Sequence, residues 1–428
     1  MSKDPPSAVE FPFKQVAGGV TAAKGFRAGA ISCGIKNPNA TRLDLTLIAS
    51  DLPTHTEACF TTNKVKAACV RVSQQHVKVG DVRAIIANSG NANACTGPQG
   101  IADAKAMTKA AADKLGVKMR QVLVCSTGII GMPMPIQRIT PRIEELVQSL
   151  KSGPAGSEDA MHAIMTSDTK PKTFAVEVEC EGATFRVGGI AKGAGMICPN
   201  MATMLAFITT DAKIQPGELK KATQAAVQET FNRITIDGDT STNDTVIVMA
   251  NGASEVPLIK SKSPCTEIFR AALKHVMMNL AKMIVRDGER VTKFVEIRVH
   301  GAKTHQDAKS VAETVAKSML VKCSFHGGDP NWGRIIHAVG YANARVREEL
   351  VDIYFGGLCA AKGGLSTSIP VKELEKVTAK ANFTVTIDLN LGDACYNVFT
   401  TDLSEEYVDF NSSEYSAAVH SKRQTGLA

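Results

Sequence analysis

The chain has 428 residues, of which 44% are hydrophobic and 21% charged, a composition typical of folded globular proteins and unlike that of disordered chains. Its formal net charge of +7 comes from 49 basic and 42 acidic residues spread along the chain, which excludes a basic stripe for nucleic acid. No apolar run reaches the length of a membrane span and the first residues lack a secretion signal, so we expect a cytoplasmic protein.

Strand-like and helix-like segments alternate along the chain, which predicts an α/β fold. Residues 82–87 predict a buried strand that ends at the turn-rich residues 88–93. Residues 100–115 then predict a helix that a glycine ends, and residues 121–125 predict a second buried strand.

The middle of the chain contains further clear elements. Residues 174–180 and 183–190 predict a hairpin. Residues 216–231 predict an amphipathic helix, and residues 266–286 predict a longer one, because their apolar side chains recur at steps of three and four. The longer helix ends just before Glu289, which places that carboxylate at a helix terminus.

A glycine-rich loop leads into the most informative strand. Gly193 and Gly195 permit backbone conformations that a strained loop needs. Ala202 is small enough for a neighbouring group to reach its carbonyl carbon, and Thr203 precedes the apolar run 204–208, which predicts a buried strand. A hydroxyl at the start of such a strand, after a glycine-rich loop, is in a suitable position for a nucleophile. From the pattern alone, however, a threonine that merely begins a core strand is the commoner case.

Seven motifs together resemble the ornithine acetyltransferase family, in the family's order and over nearly the whole chain. They are VTAAKGF at 20–26, FTTNKVKA at 60–67, NSGNANACTG at 88–97, STGIIG at 126–131, KGAGMICPNMATMLAFITTD at 192–211, DGDTSTNDT at 237–245 and DPNWGR at 329–334. The resemblance implies the family's layered αββα sandwich, of the self-cleaving type whose new amino-terminal residue is the nucleophile.

The resemblance also implies a division of the chain. The Ala202–Thr203 bond would break itself, leaving an α chain of residues 1–202 and a β chain of residues 203–428 that stay associated, with two such αβ units in a dimer. Thr203 would then be the nucleophile. Its own α-amine, whose pKa is about 8 when unperturbed, would act as the base that a threonine hydroxyl requires.

Five more site residues come from the resemblance. The hydroxyl of Thr127 and the backbone N–H of Gly128 would stabilise the oxyanion that forms when an amide is attacked. Thr166, Lys192 and Glu289 would contact substrate, with Glu289 meeting the ornithine ammonium and Lys192 holding a carboxylate or lowering the pKa of the amine. Without the resemblance, Thr127 and Gly128 would be a strand-ending turn, and the two charged residues a solvated face.

The sequence departs from the family at two places. Arg290 and Val291 stand where the family usually has small residues, so we expect them to narrow the pocket beside Glu289 or to change its charge. The C-terminal segment resembles a family end that closes over substrate, but it carries one extra residue. It implies Asn411 and Ser416 as substrate ligands, with a surface loop as the alternative.

The function implied by the resemblance is an acyl transfer in arginine biosynthesis. Thr203 would take the acetyl group of N2-acetylornithine, release ornithine and pass the acetyl to glutamate, which gives N-acetylglutamate. Some members also use acetyl-CoA as donor, and the sequence leaves this open. Two other functions remain: hydrolysis, as in related self-cleaving aminopeptidases that use serine, and binding or scaffolding without catalysis. Thr203 and the other intact site residues favour the transferase.

Other kinds of site find no support in the sequence. No Gly-Lys-Ser or Gly-Lys-Thr follows a glycine-rich turn, Asp237 and Asp239 lack the glycine and glutamate of a calcium loop, and the nine histidines show no ligand spacing. We therefore expect no metal and no cofactor.

The eleven cysteines are an odd number, which is typical of a reducing compartment rather than of a disulfide framework.

Overall fold

The computed structural model describes residues 13–198 and 204–413. The strands within those residues are β1 (Lys14–Gln15), β2 (Phe26–Ile31), β3 (Leu45–Phe60), β4 (Val82–Asn88), β5 (Val122–Ser126), β6 (Thr173–Cys180), β7 (Ala183–Lys192), β8 (Leu205–Thr210), β9 (Thr245–Ala250), β10 (Phe294–Ala302), β11 (Asp352–Phe355), β12 (Leu358–Lys362), β13 (Leu365–Ser366), β14 (Asn382–Asp388) and β15 (Ala394–Thr401).

The helices of the same part of the chain are α1 (Ala68–His76), α2 (Gly97–Leu115), α3 (Ile136–Ile139), α4 (Ile143–Gln148), α5 (Pro154–Ile164), α6 (Pro216–Glu229), α7 (Cys265–Arg286), α8 (His305–Lys317), α9 (Met319–His326), α10 (Trp332–Gly340), α11 (Val371–Thr378) and α12 (Glu405–Asn411). Each element that we predicted from the sequence is present, with its ends moved by at most three residues. The alternation of strands and helices thus predicted the α/β class correctly.

Two sheets are joined by the long strand β3. Its residues 45–49 pair with β2 and β4, whereas residues 55–60 pair with β9. The resulting strand order is β1-β6-β7-β8-β9-β3-β4-β5, with β2 on the side of β3. Because β7 precedes residue 203 and β8 follows it, neighbouring strands of one sheet come from the two predicted chains.

The layers follow from where the apolar side chains are buried. The core between the two halves contains side chains of β2, β4, β5, β7, β8 and β9 together with α5. A second core lies between β6–β9 and the helices α6 and α7, and a third lies between β3–β5 and the helices α1, α2 and α4. This order is helix, sheet, sheet, helix, so the predicted αββα sandwich is confirmed.

Helix α7 shows why the sequence pattern was informative. Phe269, Leu273, Val276, Leu280 and Ile284 are all fully buried, and they form the face that packs on β6 and β7. Burying a side chain of this size contributes about 1.5–3 kcal/mol. These contacts fix the helix on the sheet, and the residues that follow its last turn lie beside the loop after β7.

A smaller sheet follows in the chain, with its own core. Strands β10–β15 pair in the order β13-β12-β11-β14-β10-β15, and helices α8, α9 and α10 contribute apolar side chains to the core that covers them. Strand β10 pairs in parallel with β14 and antiparallel with β15. The bridge between Ile234 and Phe399 joins this sheet to the sandwich.

One disulfide joins Cys180, at the end of β6, to Cys265, the first residue of α7. The other nine cysteines are free. Our expectation from the odd cysteine count was therefore wrong for this pair. The two residues are 85 apart in sequence, and the packing of α7 across β6 brings them together.

Candidate active site

One cavity of about 340 Å³ lies beside the ends of β5 and β7. Its lining includes these predicted site residues: Thr127, Gly128, Thr166, Lys192, Glu289 and Asn411. The remaining three, Ala202, Thr203 and Ser416, lie outside the described residues. The structure thus brings together every predicted site residue that it describes.

The turn after β5 requires glycine at position 128. Gly128 has φ +131°, a conformation that other residues rarely adopt, and a Cβ there would overlap the backbone of Gly90 and Asn91. The N–H of Thr127 donates to the Asn88 carbonyl at 2.9 Å, whereas the N–H of Gly128 has no hydrogen-bond acceptor among the described residues. This N–H is therefore available to a ligand.

Asn243 supports the turn from behind. Its Nδ2 donates to the carbonyl of Ser126 at 2.8 Å and to the carbonyl of Ala92 at 2.6 Å, and the residue is buried. Replacing the amide would leave two buried carbonyls without this donor, which costs free energy. Asn243 belongs to the motif at 237–245, which indicates no role for it, and only its contacts reveal one.

Lys192, the last residue of β7, is 4% exposed, so the alternative of a solvated face is wrong for this residue. Its Nζ donates to Thr127 Oγ1 at 3.2 Å. Burial lowers the pKa of this ammonium, and the carboxylates of Asp168, Glu289 and Asp244 oppose the shift. Because the Thr127 oxygen accepts from Lys192, the hydroxyl hydrogen remains to be donated elsewhere.

Glu289 lies just past α7, as the sequence predicted. Its backbone N–H donates to the Ala194 carbonyl at 2.9 Å, which joins it to the loop after β7. A Cβ on Gly195 would overlap the Glu289 carboxylate. Gly195 is therefore needed to give the carboxylate room at the cavity.

Helix α12 brings Asn411 to this carboxylate. Asn411 Nδ2 donates to Glu289 Oε2 at 3.0 Å, and the hydroxyl of Tyr407 donates to Asp237 Oδ2 at 3.2 Å. Asp237 also accepts from the N–H of Ile197 at 2.8 Å, so it joins the helix to the loop that precedes residue 203. Burial raises the pKa of Asp237 to about 6.

At the family departure, Arg290 contacts helix α12. The Arg290 guanidinium lies 5.1 Å from the centre of the Phe410 ring, a cation–π arrangement, and its carbonyl accepts from Ser404 Oγ at 2.7 Å. Phe410 lines the cavity, whereas Arg290 and Val291 do not belong to the described lining. Arg290 therefore fixes α12 and does not narrow the pocket directly.

Asp244 anchors the strand that begins after residue 203. Its Oδ1 accepts from the N–H of Met204 at 3.0 Å, and the side chain is buried beside Lys192. Burial raises the pKa of this carboxyl well above its usual range, although the Met204 N–H and the charge of Lys192 oppose the shift. The contact holds the start of β8 against the start of β9.

The described residues contain no group of three or more His, Cys, Asp or Glu side chains arranged to hold a metal ion. Within the same ranges, no helix is both long and apolar enough to cross a membrane.

Comparisons with known proteins extend over most of the chain. The ArgJ family model matches residues 27–417. "Arginine biosynthesis bifunctional protein ArgJ" from Geobacter sulfurreducens is 47% identical over 91% of this chain and 98% of its own. "Glutamate N-acetyltransferase" from Methanocaldococcus jannaschii is 45% identical over 92% of this chain and 98% of its own.

Among solved structures, an ornithine acetyltransferase from Mycobacterium tuberculosis in complex with ornithine is 41% identical, with a TM-score of 0.41. The similarity covers 44% of this chain and 98% of that one. The family match and the two long relatives confirm the resemblance seen in the motifs, and with it the acyltransferase class. The chain belongs to the ArgJ family.

Proposed function

We propose that this enzyme transfers the acetyl group of N2-acetylornithine to glutamate through an acetyl ester on Thr203. The observation that carries the proposal is that two hydrogen-bond donors suited to an oxyanion and a carboxylate suited to an ammonium lie in one cavity. Thr127 and Gly128 lie on its wall together with Glu289, although they are more than 150 residues apart in the sequence.

The nucleophile would be produced by the chain itself. The Thr203 hydroxyl attacks the Ala202 carbonyl carbon, and the acyl group moves from nitrogen to oxygen. This shift breaks the bond to nitrogen and frees the Thr203 amine. Water then hydrolyses the ester, which frees the Ala202 carboxylate and the Thr203 hydroxyl. The anchoring of Met204 by Asp244 supports this step, because it fixes the backbone immediately after the nucleophile.

Transfer then needs two attacks of the same kind. The free amine takes the proton of the Thr203 hydroxyl, the oxygen attacks the acetyl carbonyl, and the proton passes to the departing ornithine nitrogen. The negative oxygen that forms is stabilised by the Thr127 hydroxyl and the Gly128 N–H, which are already oriented. The amine of glutamate then attacks the carbonyl carbon of the acetyl ester, the bond to the Thr203 oxygen breaks, and that oxygen takes back a proton through the Thr203 amine, which releases N-acetylglutamate.

Charges on the cavity wall fit amino-acid substrates. Glu289 offers a carboxylate for the side-chain ammonium of ornithine, and its Asn411 contact orients it. Lys192, Lys36 and Arg42 line the cavity as well and supply positive charge for substrate carboxylates. Lys192 also orients one of the two oxyanion-stabilising groups, through its hydrogen bond to the Thr127 hydroxyl.

The wider setting is part of the same proposal. We assign the enzyme to the cytoplasm, with α chain and β chain remaining associated after cleavage and with two such units forming a dimer. No cofactor is needed for the two attacks. Acetyl-CoA is a second candidate donor, which would replace N2-acetylornithine in the first attack and acetylate glutamate directly.

The test is ornithine release from N2-acetylornithine with and without glutamate. Transfer predicts release that depends on glutamate, with N-acetylglutamate formed in equal amount, whereas release that water alone supports at the full rate would mean hydrolysis. A parallel reaction with acetyl-CoA shows whether it serves as donor.

Mass spectrometry of the purified protein tests the cleavage. After reduction of the Cys180–Cys265 disulfide, we expect two fragments, the second beginning at Thr203. A single intact chain in active protein would contradict the proposed nucleophile, and an intact, inactive chain would favour the non-catalytic alternative.

A further inference from the structure

Lys172 lies outside the cavity lining and outside every family motif given above, yet it is fully buried. Its Nζ lies 2.6 Å from Asp168 Oδ1 and 2.6 Å from Asp287 Oδ2. The two carboxylates have side-chain exposures of 0% and 4%. Removing three charges from water costs free energy, and a protein with apolar side chains in place of such a cluster is often no less stable. Stability alone therefore does not explain this cluster.

The Asp168 carboxylate accepts hydrogen bonds from the backbone of two separate segments. Its Oδ2 accepts from the N–H of Thr166 at 2.9 Å, and its Oδ1 accepts from the N–H of Gly193 at 2.7 Å. Thr166 lines the cavity, and Gly193 directly follows Lys192. One side chain thus joins the segment before β6 to the loop after β7.

The Asp287 carboxylate adds a third segment. Its Oδ2 accepts from the N–H groups of Thr169 and Lys170 at 3.0 and 3.2 Å, and the Thr169 hydroxyl also binds it. Asp287 lies at the end of α7, two residues before Glu289. The end of α7 is therefore tied to the same segment that carries Thr166.

We propose that Lys172 is a positioning residue of the active site, which holds the backbone of Thr166, Lys192 and Glu289 in register around the cavity. It does so by pairing with Asp168 and Asp287 at once. The inference rests on the proposed function only in taking these three residues as substrate contacts.

The charge of Lys172 matters as well as its shape. Burial alone would raise the pKa of Asp168, but the charges of Lys192 and Lys172 and the backbone hydrogen bonds hold that pKa well below its usual range. An ionised Asp168 keeps both oxygens as acceptors for N–H groups. Without Lys172, the Asp168 carboxylate would lose one of the two positive charges that lower its pKa and would remain buried near the like charge of Asp287, so its pKa would rise.

The test compares Lys172→Met with Lys322→Met. Lys322 is a matched control because it is also a buried lysine, with Nζ bound to the Thr401 carbonyl at 2.5 Å, and it is not part of the cavity lining. Both changes remove a buried ammonium and keep an unbranched side chain. We measure the melting temperature, the fraction cleaved, and kcat and KM for N2-acetylornithine.

We expect both variants to melt earlier and only Lys172→Met to lose catalysis. Its kcat/KM should fall about a hundredfold, which is the effect of displacing site groups by about 1 Å, and part of the loss should appear in KM. Lys322→Met should stay within about threefold of wild type. Since loss of Lys172 raises the pKa of Asp168, the acid limb of the kcat/KM profile should also move to higher pH in Lys172→Met.

Equal losses in the two variants, or a Lys172→Met enzyme with wild-type kcat/KM, would overturn the inference. If Lys172→Met does not fold, Asp287→Asn is the milder probe. It should lower kcat/KM about tenfold, and no loss in that variant would equally refute the role of the cluster.

Hydrogen exchange separates this inference from the proposed function. In the variants, the amides of residues 166–170 should lose protection, whatever reaction the enzyme catalyses. Unchanged protection there would contradict the positioning role. A wild-type protein that is protected there but transfers no acetyl group would contradict the proposed function alone.

Discussion

The contribution of Thr127 to catalysis can be tested by removing one hydroxyl. Thr127→Ala deletes the oxygen that accepts from Lys192 Nζ at 3.2 Å and leaves the Gly128 N–H in place. Thr127→Ser keeps the hydroxyl and serves as the conservative control. The main-chain turn should survive both changes, because Gly128 and the bonds from Asn243 determine its shape.

The magnitude follows from how enclosed the hydroxyl is. Thr127 is 8% exposed, so little water can replace its hydrogen bond to the oxyanion. Losing one preorganised oxyanion donor lowers kcat by about a hundredfold to a thousandfold, or roughly 3–4 kcal/mol. Since the donor acts mainly on charge that forms in the transition state, the dissociation constant of ornithine should change little.

The assay is the initial rate of ornithine release in the presence of glutamate, together with calorimetric binding of ornithine. Thr209→Ala is a matched control, because Thr209 is a buried threonine whose hydroxyl donates to the Val20 carbonyl at 2.7 Å, away from the cavity lining. An unchanged kcat in Thr127→Ala, or an equal loss in Thr209→Ala, would remove Thr127 from the mechanism. A loss that appears only as weaker ornithine binding would make Thr127 a substrate contact instead.

Three further predictions concern other parts of the site. Thr203→Ala should neither cleave nor transfer. Residues 1–202 and 203–428, expressed separately and folded together, should transfer the acetyl group without processing. Blocking the Thr203 amine should abolish this activity, and full activity after blocking would mean that another group is the base. Glu289→Gln should raise KM for N2-acetylornithine about tenfold to a hundredfold, as expected for the loss of a charged hydrogen-bond partner, with a smaller change in kcat; an unchanged KM would show that Glu289 does not bind the ammonium. Burial raises the pKa of Asp237 to about 6, so this carboxyl binds its proton more tightly in the folded state than in the unfolded state. The resulting stabilisation of the folded state is present at low pH and is lost as the pH rises from about 4 to about 6. The melting temperature of wild type should therefore fall relative to Asp237→Asn over that range, and parallel curves would refute the assignment.

The sequence predicted those parts of the fold in which local pattern and burial agree. Helix α7 has one apolar face over its whole length, so both its presence and the position of Glu289 beyond its end could be predicted. Gly128 was identified through a motif, and its φ of +131° is the physical reason why the motif has glycine there.

Other site features depend on contacts between distant segments and leave no local signal. Lys192 is a charged residue in an otherwise ordinary strand end, and its burial follows from packing against the turn at Thr127. The role of Asn243 appears only when its amide is seen between two carbonyls. Arg290 was identified as a departure, but its contact with Phe410 depends on where α12 lies.

The disulfide between Cys180 and Cys265 crosses the predicted cleavage position, since one residue precedes Thr203 and the other follows it. Once the Ala202–Thr203 bond is broken, an enzyme without this crosslink unfolds into two separate molecules, and its stability depends on protein concentration. With the crosslink, the fragments stay at a high effective concentration and can find each other again in a first-order process. Reduction of a single bond would thus change the molecularity of folding within one αβ unit, because dilution can separate the two fragments of a reduced unit but not those of an oxidised one.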